Sequence, residues 1–272
     1  MIRCFCLAAA TTFVLSGTAA DTPKQTIKLF NGKDLSNFYT YLRDSGKNND
    51  PKKVFTVVDG AIRISGEVWG GLITEKEYEN YHLIVEFKWG DKTWGSREKA
   101  ARDSGTLIHC VGEDGAAGGT WLESVECQMI EGGTGDIILV GGKKTPSIKC
   151  EIEKRETFSG KKPHLESYYK AGGTLTEFKG GRINWYGRDV NWSDTLGFRG
   201  KDDVEHKVGE WNTLEVICDG ATITNVLNDK VVNKGVECSH TRGKILFQSE
   251  GAEVFFRRIE LQPLKKAAIP GR

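Results

Sequence analysis

The sequence has little net charge and contains few methionines and few prolines. Its 272 residues include 38 Lys and Arg against 37 Asp and Glu, which leaves a formal charge of +1. This balance excludes the broad basic surface needed for general nucleic-acid binding or for electrostatic attachment to a membrane. Only 6 Pro and 2 Met are present, beside 33 Gly without a period. Scattered glycine at this level is typical of a chain with many tight turns.

Long apolar runs are also missing after the first twenty residues, so no later segment is expected to span a membrane. The N-terminus carries one basic residue, Arg3, then an apolar run over 5–15 and small residues that end at Ala20. This order is typical of a secretory signal, and a buried N-terminal helix is the alternative. We expect a signal peptide over 1–20 and a single domain over 21–272. The protein would then be secreted or periplasmic, without a membrane anchor once the signal is removed.

Cysteine pairs with zinc-site spacing are absent, so a structural zinc is not expected. Of the 7 cysteines, Cys4 and Cys6 leave with the predicted signal. The others are Cys110, Cys127, Cys150, Cys218 and Cys238. An exported protein can form disulfides, but an odd number leaves at least one thiol unpaired. We expect these side chains to be mainly buried thiols within strands.

Helical periodicity is nearly absent, and period-two alternation broken by turn residues takes its place. Residues 54–58 and 61–65 flank Asp59-Gly60, a pair that favours a two-residue hairpin turn. In the segment from Tyr81 to Trp89, period two places Leu83, Val85, Phe87 and Trp89 on one face, and the other face is polar except for Ile84. Similar runs follow at 211–218, 221–227, 244–248 and 253–261.

A chain with this many antiparallel strands closes most economically as a jelly-roll or lectin-like sandwich of two antiparallel sheets. A closed barrel is the alternative. The segment from Gly141 to Lys207 fits least well, because it is rich in Gly, Lys, Trp and Tyr and lacks steady alternation. We expect it to form long loops, the usual location of a binding surface.

Polar residues that could perform chemistry are densest between Arg102 and Asp136. Glu126 and Gln128 share one face of a strand, and the apolar residues that alternate with them occupy the other. Glu131 has the opposite parity, which a β-bulge after Gln128 would correct by turning its carboxylate toward Glu126. Two carboxylates on one concave face are what sugar chemistry uses, because one can remain a base while its neighbour stays protonated. Solvated acids on an exposed sheet face are the alternative.

A histidine and several aromatic residues are also consistent with a sugar site, but each has a structural explanation as well. His109 titrates near neutrality and suits a general base, but an imidazole in a strand is as often simply packed. The aromatic residues Trp121, Trp185, Tyr186 and Trp192 lie in loop-like segments, where exposed rings stack on sugar faces. Local packing of a glycine-rich loop is an equally good explanation for them.

Five motifs follow one another along the chain in a characteristic order. They are Leu-Phe-Asn-Gly-Lys-Asp-Leu from Leu29 to Leu35, Asp103-Ser104-Gly105, Glu126-x-Gln128-x-x-Glu131, Gly209-Glu210-Trp211-Asn212 and the run from Gly243 to Ile259. Together they resemble the 3-keto-disaccharide hydrolase family, from Ile27 to Leu264. That family is also described as 3-keto-glucoside lyase and 3-keto-2-hydroxy-glucal hydratase.

The resemblance implies a concanavalin A-like lectin and glucanase β-sandwich, exported by bacteria that degrade carbohydrates or glycosides. It implies a small carbohydrate substrate whose ketone at carbon 3 acidifies the hydrogen at carbon 2. A base removes that hydrogen, the glycosidic oxygen leaves carbon 1, and water adds to the resulting glucal. No oxidising cofactor is needed, because an upstream glycoside 3-dehydrogenase makes the ketone.

This chemistry needs a base, an acid and a positive group at the enolate. We expect His109 or Glu126 to be the base and Glu131 the acid. Gln128 would orient the substrate and Arg102 would stabilise the enolate. A divalent cation held by His109, Glu126 and Asp136 is an alternative source of positive charge, and such ligands suit manganese, cobalt or zinc.

Two departures from the family pattern leave other functions open. Many relatives have Asn-Ser-Gly followed by an Arg where this chain has Asp103-Ser104-Gly105 and His109, so the substrate contact made by Asp103 differs. The Glu126 motif also resembles the Glu-x-Asp-x-x-Glu signature of β-glucanases, but Gln128 replaces the central Asp and cannot tune a nucleophile as a carboxylate does. A noncatalytic carbohydrate-binding module and a conventional glycosidase acting on unoxidised glycans are the alternatives.

Overall fold

The computed structural model describes residues 20–158 and 162–265, which form two packed antiparallel sheets. Most of the predicted signal peptide, with Cys4 and Cys6, lies outside the described residues. Within the described part, no helix is long and apolar enough to cross a membrane. The all-β prediction is confirmed, since the one helical element described there is a single 3-10 turn at Gly95–Arg97.

The described strands are numbered in chain order. They are β1 (Ile27–Lys28), β2 (Phe38–Leu42), β3 (Gly46–Lys47), β4 (Phe55–Val58), β5 (Ala61–Ile64), β6 (Gly70–Thr74), β7 (Tyr78–Glu79), β8 (Tyr81–Thr93), β9 (Asp103–Val111), β10 (Glu123–Ile130), β11 (Ile137–Val140), β12 (Ile148–Thr157), β13 (His164–Tyr169), β14 (Thr174–Phe178), β15 (Gly181–Ile183), β16 (Asn212–Asp219), β17 (Thr222–Leu227), β18 (Lys230–Val236), β19 (Arg242–Ser249) and β20 (Ala252–Pro263).

The first sheet has the strand order β13-β12-β18-β17-β16-β8-β20-β5-β4, with β1 beside β20 and β14 beside β12. The second sheet has the order β15-β11-β10-β9-β19-β6-β2-β3, with β7 beside β19. Because neighbours in each sheet are mostly distant in sequence, residues from both ends of the chain meet on one sheet face. The candidate active site is built from residues that meet in this way.

The core lies between the sheets and is filled by the inward halves of alternating strands. The predicted alternation of β8 is confirmed, because Leu83, Val85, Phe87 and Trp89 are almost completely buried in the main core. Apolar residues of β10 fill the core from the opposite sheet. Burial of apolar surface of this extent is the main favourable contribution to folding.

Two hairpin turns, the first of which was predicted, have the backbone that their residues favour. Asp59 and Gly60 join β4 to β5 with φ values of 50° and 74°, and Asn228 and Asp229 join β17 to β18 with values of 47° and 64°. Positive φ at both central residues defines the type I′ turn, whose twist matches the flanking strands. Asn, Asp and Gly tolerate this conformation better than other residues.

The prediction of long loops from Gly141 to Lys207 was wrong for much of that segment. Strands β12 to β15 lie within it. In β12, Ile148, Cys150 and Ile152 enter the core while charged residues alternate outward. The local richness in lysine and glycine obscured this short alternation. From residue 184 to residue 211 the chain has no strand, and here the loop prediction is confirmed.

The five cysteines of the described residues are all buried and unpaired. Four of them lie within strands, and Cys238 follows β18. The sandwich is therefore stabilised by packing and sheet hydrogen bonds rather than by cross-links among these residues.

Candidate active site

Register across the second sheet places one row of side chains on its outer face, the face turned away from the first sheet. Residues paired directly across neighbouring strands share a face. The row crosses seven strands in spatial order and consists of Tyr39, Ile73, Leu246, Leu107, Glu126, Ile138 and Arg182. Glu126 therefore projects from the outer face near the middle of the sheet.

The adjacent row on this face contains two glycines, over which neighbouring side chains close in. Gly71 pairs with Tyr41 and Gln248, and Gly105 pairs with Gln128. A Cβ atom on Gly105 would lie 2.3 Å from Glu126 Oε1 and 2.4 Å from Gln248 Oε1. The absent side chain therefore makes the space into which these two polar groups turn. We call this cluster of side chains the acid trough; it is formed by Asp103, Gly105, Glu126, Gln248 and Glu250.

Three buried oxygens of the acid trough have no hydrogen-bond partner: Asp103 Oδ1, Glu126 Oε1 and Gln248 Oε1. All three side chains belong to residues that are at most 4% exposed. A buried acceptor without a partner costs about 1–3 kcal/mol, so such groups are rarely left this way without a role. These oxygens are therefore the groups most readily available to a bound polar ligand.

Burial and mutual repulsion raise the pKa values of the carboxyl groups in the acid trough. Desolvation, followed by the nearby Asp103 carboxylate, raises the pKa of Glu126 to about 8. Desolvation also raises the pKa of Asp103 to about 6, although the Arg97 guanidinium opposes the shift. The pKa of the half-buried Glu250 is raised by desolvation and by both of these neighbours. Near pH 7, Glu126 therefore holds a proton while Asp103 is mainly ionised.

Two arginines bring positive charge to the acid trough. Arg97, in the 3-10 turn, donates to Asp103 Oδ2 and to Asp194 Oδ1, the latter at 2.7 Å. Arg182, on β15, lies in the same row as Glu126 and keeps a third of its side chain exposed. Its Nε is 3.6 Å from Asp136 Oδ2, too long for a strong hydrogen bond. Of these two arginines, Arg182 is therefore the one with more freedom to meet a substrate.

Of the three tryptophans expected to stack on sugars, Trp121 is the one that stays partly exposed. It is half-buried on the outer face and stacks on Trp69, with ring centroids 6.1 Å apart and an interplanar angle of 21°. Trp185 and Trp192 are buried instead, donating from Nε1 to Gly132 O and Glu131 O at 3.2 and 2.8 Å. The structure does not leave these two rings free for a sugar.

Glu131 is not turned toward Glu126, so the predicted bulge after Gln128 was wrong. The register of β10 shifts between Glu123 and Val125 instead, and Glu131 lies in the turn after the strand. Its Oε1 accepts from Arg102 Nη1 at 2.7 Å, and its Oε2 accepts from the backbone N–H groups of Arg102 and Gly197. Because these bonds occupy both oxygens, Glu131 acts in the fold rather than as a free acid.

Replacing Glu131 with Ala is therefore expected to lower the free energy of unfolding by about 3 kcal/mol or more, because Arg102 would remain as an uncompensated buried charge. Urea unfolding at pH 7 measures this. Glu113→Ala is the control, since its carboxylate is 81% exposed and pairs with Lys143 only at 3.5 Å. Equal stability of the two variants would contradict a structural role for Glu131.

Arg102 is correspondingly unavailable for the predicted stabilisation of an enolate. Its guanidinium is held by Glu131 and by the carbonyl oxygen of Gly90 at 2.9 Å. Gln128 lies on the outer face as predicted, next to Gly105, and its Oε1 accepts from Met129 N at 2.8 Å. Asp103, predicted as a substrate contact, lies in the acid trough.

His109 points away from the acid trough. It has a φ of 52°, in a bulge where the register between β9 and β19 shifts. This extra residue turns the ring into the interior, where it lies against Tyr81 with centroids 6.0 Å apart. Both ring nitrogens lack partners, and desolvation lowers the pKa of His109 to about 4. The position is incompatible with the predicted role as base for a substrate on the outer face.

The predicted metal ligands do not converge either. His109 and Glu126 lie on opposite faces of the second sheet, and Asp136 is bound by Arg188 and by Trp185 N at 2.7 Å. Within residues 20–158 and 162–265, no group of three or more His, Cys, Asp and Glu side chains is arranged to hold a metal ion. The residue set proposed from the sequence therefore does not fit a divalent cation.

Several residues of the site escaped sequence reasoning: Trp69, Arg97, Arg182, Gln248 and Glu250. The spacing of Lys244, Leu246 and Gln248 along β19 was a usable signal, because residues two apart share a face and Gln248 therefore lies on the outer face. No local pattern could have identified the arginines, since they reach the acid trough from a turn and an edge strand.

The chain folds as a jelly-roll sandwich with a carboxyl-lined outer face beside aromatic rings, and its family match places it in a carbohydrate-active class of protein. Residues 25–262 match the model of the 3-keto-alpha-glucoside-1,2-lyase-like domain, and the chain belongs to that family. The predicted family resemblance and the concanavalin A-like fold class are confirmed. No curated protein sequence matches the chain.

Solved structures with similar folds include a candidate glycosyl hydrolase from Parabacteroides distasonis. It is 18% identical, with a TM-score of 0.52, over 89% of this chain and 95% of that chain. A second candidate glycosyl hydrolase from the same organism is 20% identical, with a TM-score of 0.48, over 89% of this chain and 100% of that chain. A β-glucanase from Bacillus licheniformis is 10% identical, with a TM-score of 0.43, over 89% and 99%.

Proposed function

We propose that this protein cleaves 3-keto-glycosides by removing the proton at carbon 2 and expelling the glycosidic oxygen from carbon 1. Water then adds to the resulting glucal, which gives net hydrolysis. Family membership supports the reaction class. The observation that carries the proposal is the pairing of Asp103 and Glu126 in one trough, with pKa values of about 6 and about 8.

Each carboxyl group has the protonation state that one half of the elimination needs. Asp103, ionised at pH 7, takes the acidified proton from carbon 2 and leaves an enolate whose oxygen is at carbon 3. As the bond from carbon 1 to the glycosidic oxygen breaks, Glu126 donates its proton to that oxygen. General acid and base groups work best when their pKa values lie near the working pH. This assignment replaces His109 and Glu131 with the groups that share the outer face.

Arg182 supplies positive charge for the enolate. Its side chain is exposed by a third and lies in the row that contains Glu126. In the second half-reaction, water adds a hydroxyl group to carbon 1 and a proton to carbon 2. Neither half requires an oxidant, provided that a glycoside 3-dehydrogenase has already formed the ketone. We propose that enzyme as the upstream partner, and export by the N-terminal signal.

The test is incubation of the purified protein with a 3-keto-glucoside between pH 5 and pH 9, with separation of 3-keto-glucose and any glucal. We expect product at pH 7 and a bell-shaped profile of kcat/KM. Activity falls below about pH 6 because Asp103 becomes protonated, and above about pH 8 because Glu126 loses its proton.

The alternatives predict different outcomes in the same experiment. A conventional glycosidase would release sugar from the matching unoxidised glucoside, and a noncatalytic module would bind sugars without turnover. Either result would overturn the proposed elimination. Release from the 3-keto-glucoside alone would support it.

A further inference from the structure

A serine, a histidine and a glutamate outside the acid trough are joined by hydrogen bonds. Ser239 and His240 lie in the connection between β18 and β19, and Glu123 begins β10. Ser239 Oγ is 2.9 Å from His240 Nδ1, and His240 Nε2 is 2.9 Å from Glu123 Oε1. A nucleophile beside a base that a third group orients is the arrangement used for covalent acyl transfer. We call these three residues the Ser239 relay.

The neighbours of the Ser239 relay decide where its protons lie. Glu123 Oε2 accepts from the backbone N–H of Lys144 at 2.8 Å, so both carboxylate oxygens act as acceptors. His240 Nε2 therefore carries the ring proton, which leaves a lone pair on Nδ1. The backbone N–H of Ser147 donates to Ser239 Oγ at 2.9 Å. The Ser239 hydroxyl thus accepts from Ser147 and donates its own proton to His240 Nδ1.

Exposure falls along the Ser239 relay from the nucleophile to the acid. Ser239 is exposed, His240 is half-buried and Glu123 is buried. A second bond, from Ser239 N to Ser147 O at 2.9 Å, holds the serine beside the start of β12. A small molecule in solvent therefore reaches a fixed Ser239 Oγ without any opening of the fold. The shielding of Glu123 from water strengthens its bond to the imidazole ring.

This bridge distinguishes His240 from the other histidines of the described residues. His82 pairs with Glu215, and His206 bonds to a backbone carbonyl. His164 meets a hydroxyl and a carboxylate, but through the same nitrogen. In the described part of the chain, only His240 joins a hydroxyl to a carboxylate through its two ring nitrogens.

We propose that Ser239 is a nucleophile that cleaves small carboxylic esters at a site separate from the acid trough. Ser239 Oγ attacks the ester carbonyl carbon, and its proton passes to His240 Nδ1. The bond from the carbonyl carbon to the alcohol oxygen breaks, and His240 returns the proton to that oxygen. Water, deprotonated by His240, then cleaves the acyl-serine ester and releases the carboxylic acid. The sequence consumes one water and needs no oxidant or reductant.

The roles within the Ser239 relay follow from these contacts. Ser239 and His240 are the catalytic residues, because they meet the reacting atoms. Glu123 is a positioning residue that acts through the ring of His240. The proposal does not rest on cleavage of 3-keto-glycosides, since none of the three residues belongs to the acid trough.

The test is incubation of the purified protein with p-nitrophenyl acetate at pH 7, with the release of p-nitrophenol followed over time. Ser239→Ala and His240→Gln are each expected to slow the release about tenfold or more, because they remove the nucleophile and the base. Circular dichroism of each variant verifies the fold. The second variant keeps the Ser239 hydroxyl, so a loss there cannot come from a missing serine contact.

Labelling locates the nucleophile directly. Phenylmethylsulfonyl fluoride should modify Ser239, as seen by peptide mass mapping, and should stop the release of p-nitrophenol. Ser193→Ala is the matched control, because the Ser193 hydroxyl is 3.0 Å from Thr195 Oγ1 rather than beside a histidine. This variant should leave both labelling and release unchanged.

Glu123→Gln tests the orienting role separately from packing. The amide can donate to His240 Nε2, which moves the ring proton to Nδ1 and removes the acceptor for the Ser239 proton. We expect slower release, with the displaced proton visible by NMR of the imidazole nitrogens. Equal release by the unaltered protein and Ser239→Ala, or labelling at other residues while Ser239 stays unmodified, would overturn the proposal.

Discussion

Replacing Glu126 with Gln is expected to lower kcat on a 3-keto-glucoside about a thousandfold, because the amide occupies the same space but has no proton to donate to the leaving oxygen. Single-turnover measurement of product at pH 7 tests this.

The same substitution, Glu126→Gln, should also raise the free energy of unfolding at alkaline pH. Burial raises the pKa of Glu126 from 4.5 to about 8, so between these values only the folded protein keeps the proton, and its stability falls as pH rises. The Glu126→Gln variant has no proton to lose at this position, so its stability does not fall in this way as pH rises.

Glu123→Gln is the matched control for this prediction. Glu123 is a buried acid on the same strand, but it pairs with His240 Nε2 at 2.9 Å and lies outside the acid trough. Its replacement should leave kcat within a few-fold of the unaltered value. Retention of turnover in Glu126→Gln would remove Glu126 from the mechanism, whatever the effect on stability.

Substituting Gly105 with Ala is expected to reduce kcat/KM about a hundredfold without unfolding the protein. The new methyl group would stand 2.3 Å from Glu126 Oε1 and 2.4 Å from Gln248 Oε1, so both groups must turn away and the acid trough is filled. Displacement of a reacting group by about 1 Å is sufficient for a loss of this size. Activity assays together with thermal unfolding separate the two effects.

Gly90→Ala tests whether crowding by itself explains such a loss. A Cβ atom there would lie 2.3 Å from Glu253 Oε2, which is the same kind of contact on the opposite sheet. Neither Gly90 nor Gly105 has the positive φ that would strain an alanine. If both variants lost activity equally, the special role of the space over Gly105 would be disproved.

The sequence by itself predicted the elements whose signals are local. The turn at Asp59-Gly60 and the alternation from Tyr81 to Trp89 follow from short-range backbone preferences and from period two, and both are confirmed. The same period placed Glu126 and Gln128 on one face. The ordered motifs indicated the family, because a fold that depends on many strands leaves turn and strand signatures along the whole chain.

Tertiary structure decided which polar groups meet. A single extra residue in β9 turns His109 into the core, which reverses its face without any change in sequence pattern. Glu131 is captured by Arg102, whereas Arg97 reaches the acid trough from the turn just before β9 and Arg182 from a distant edge strand. The pKa values of Asp103 and Glu126 likewise depend on burial among these neighbours. Period and turn chemistry act over a few residues, but burial and charge act through space, and only the packed sheets bring those charges together.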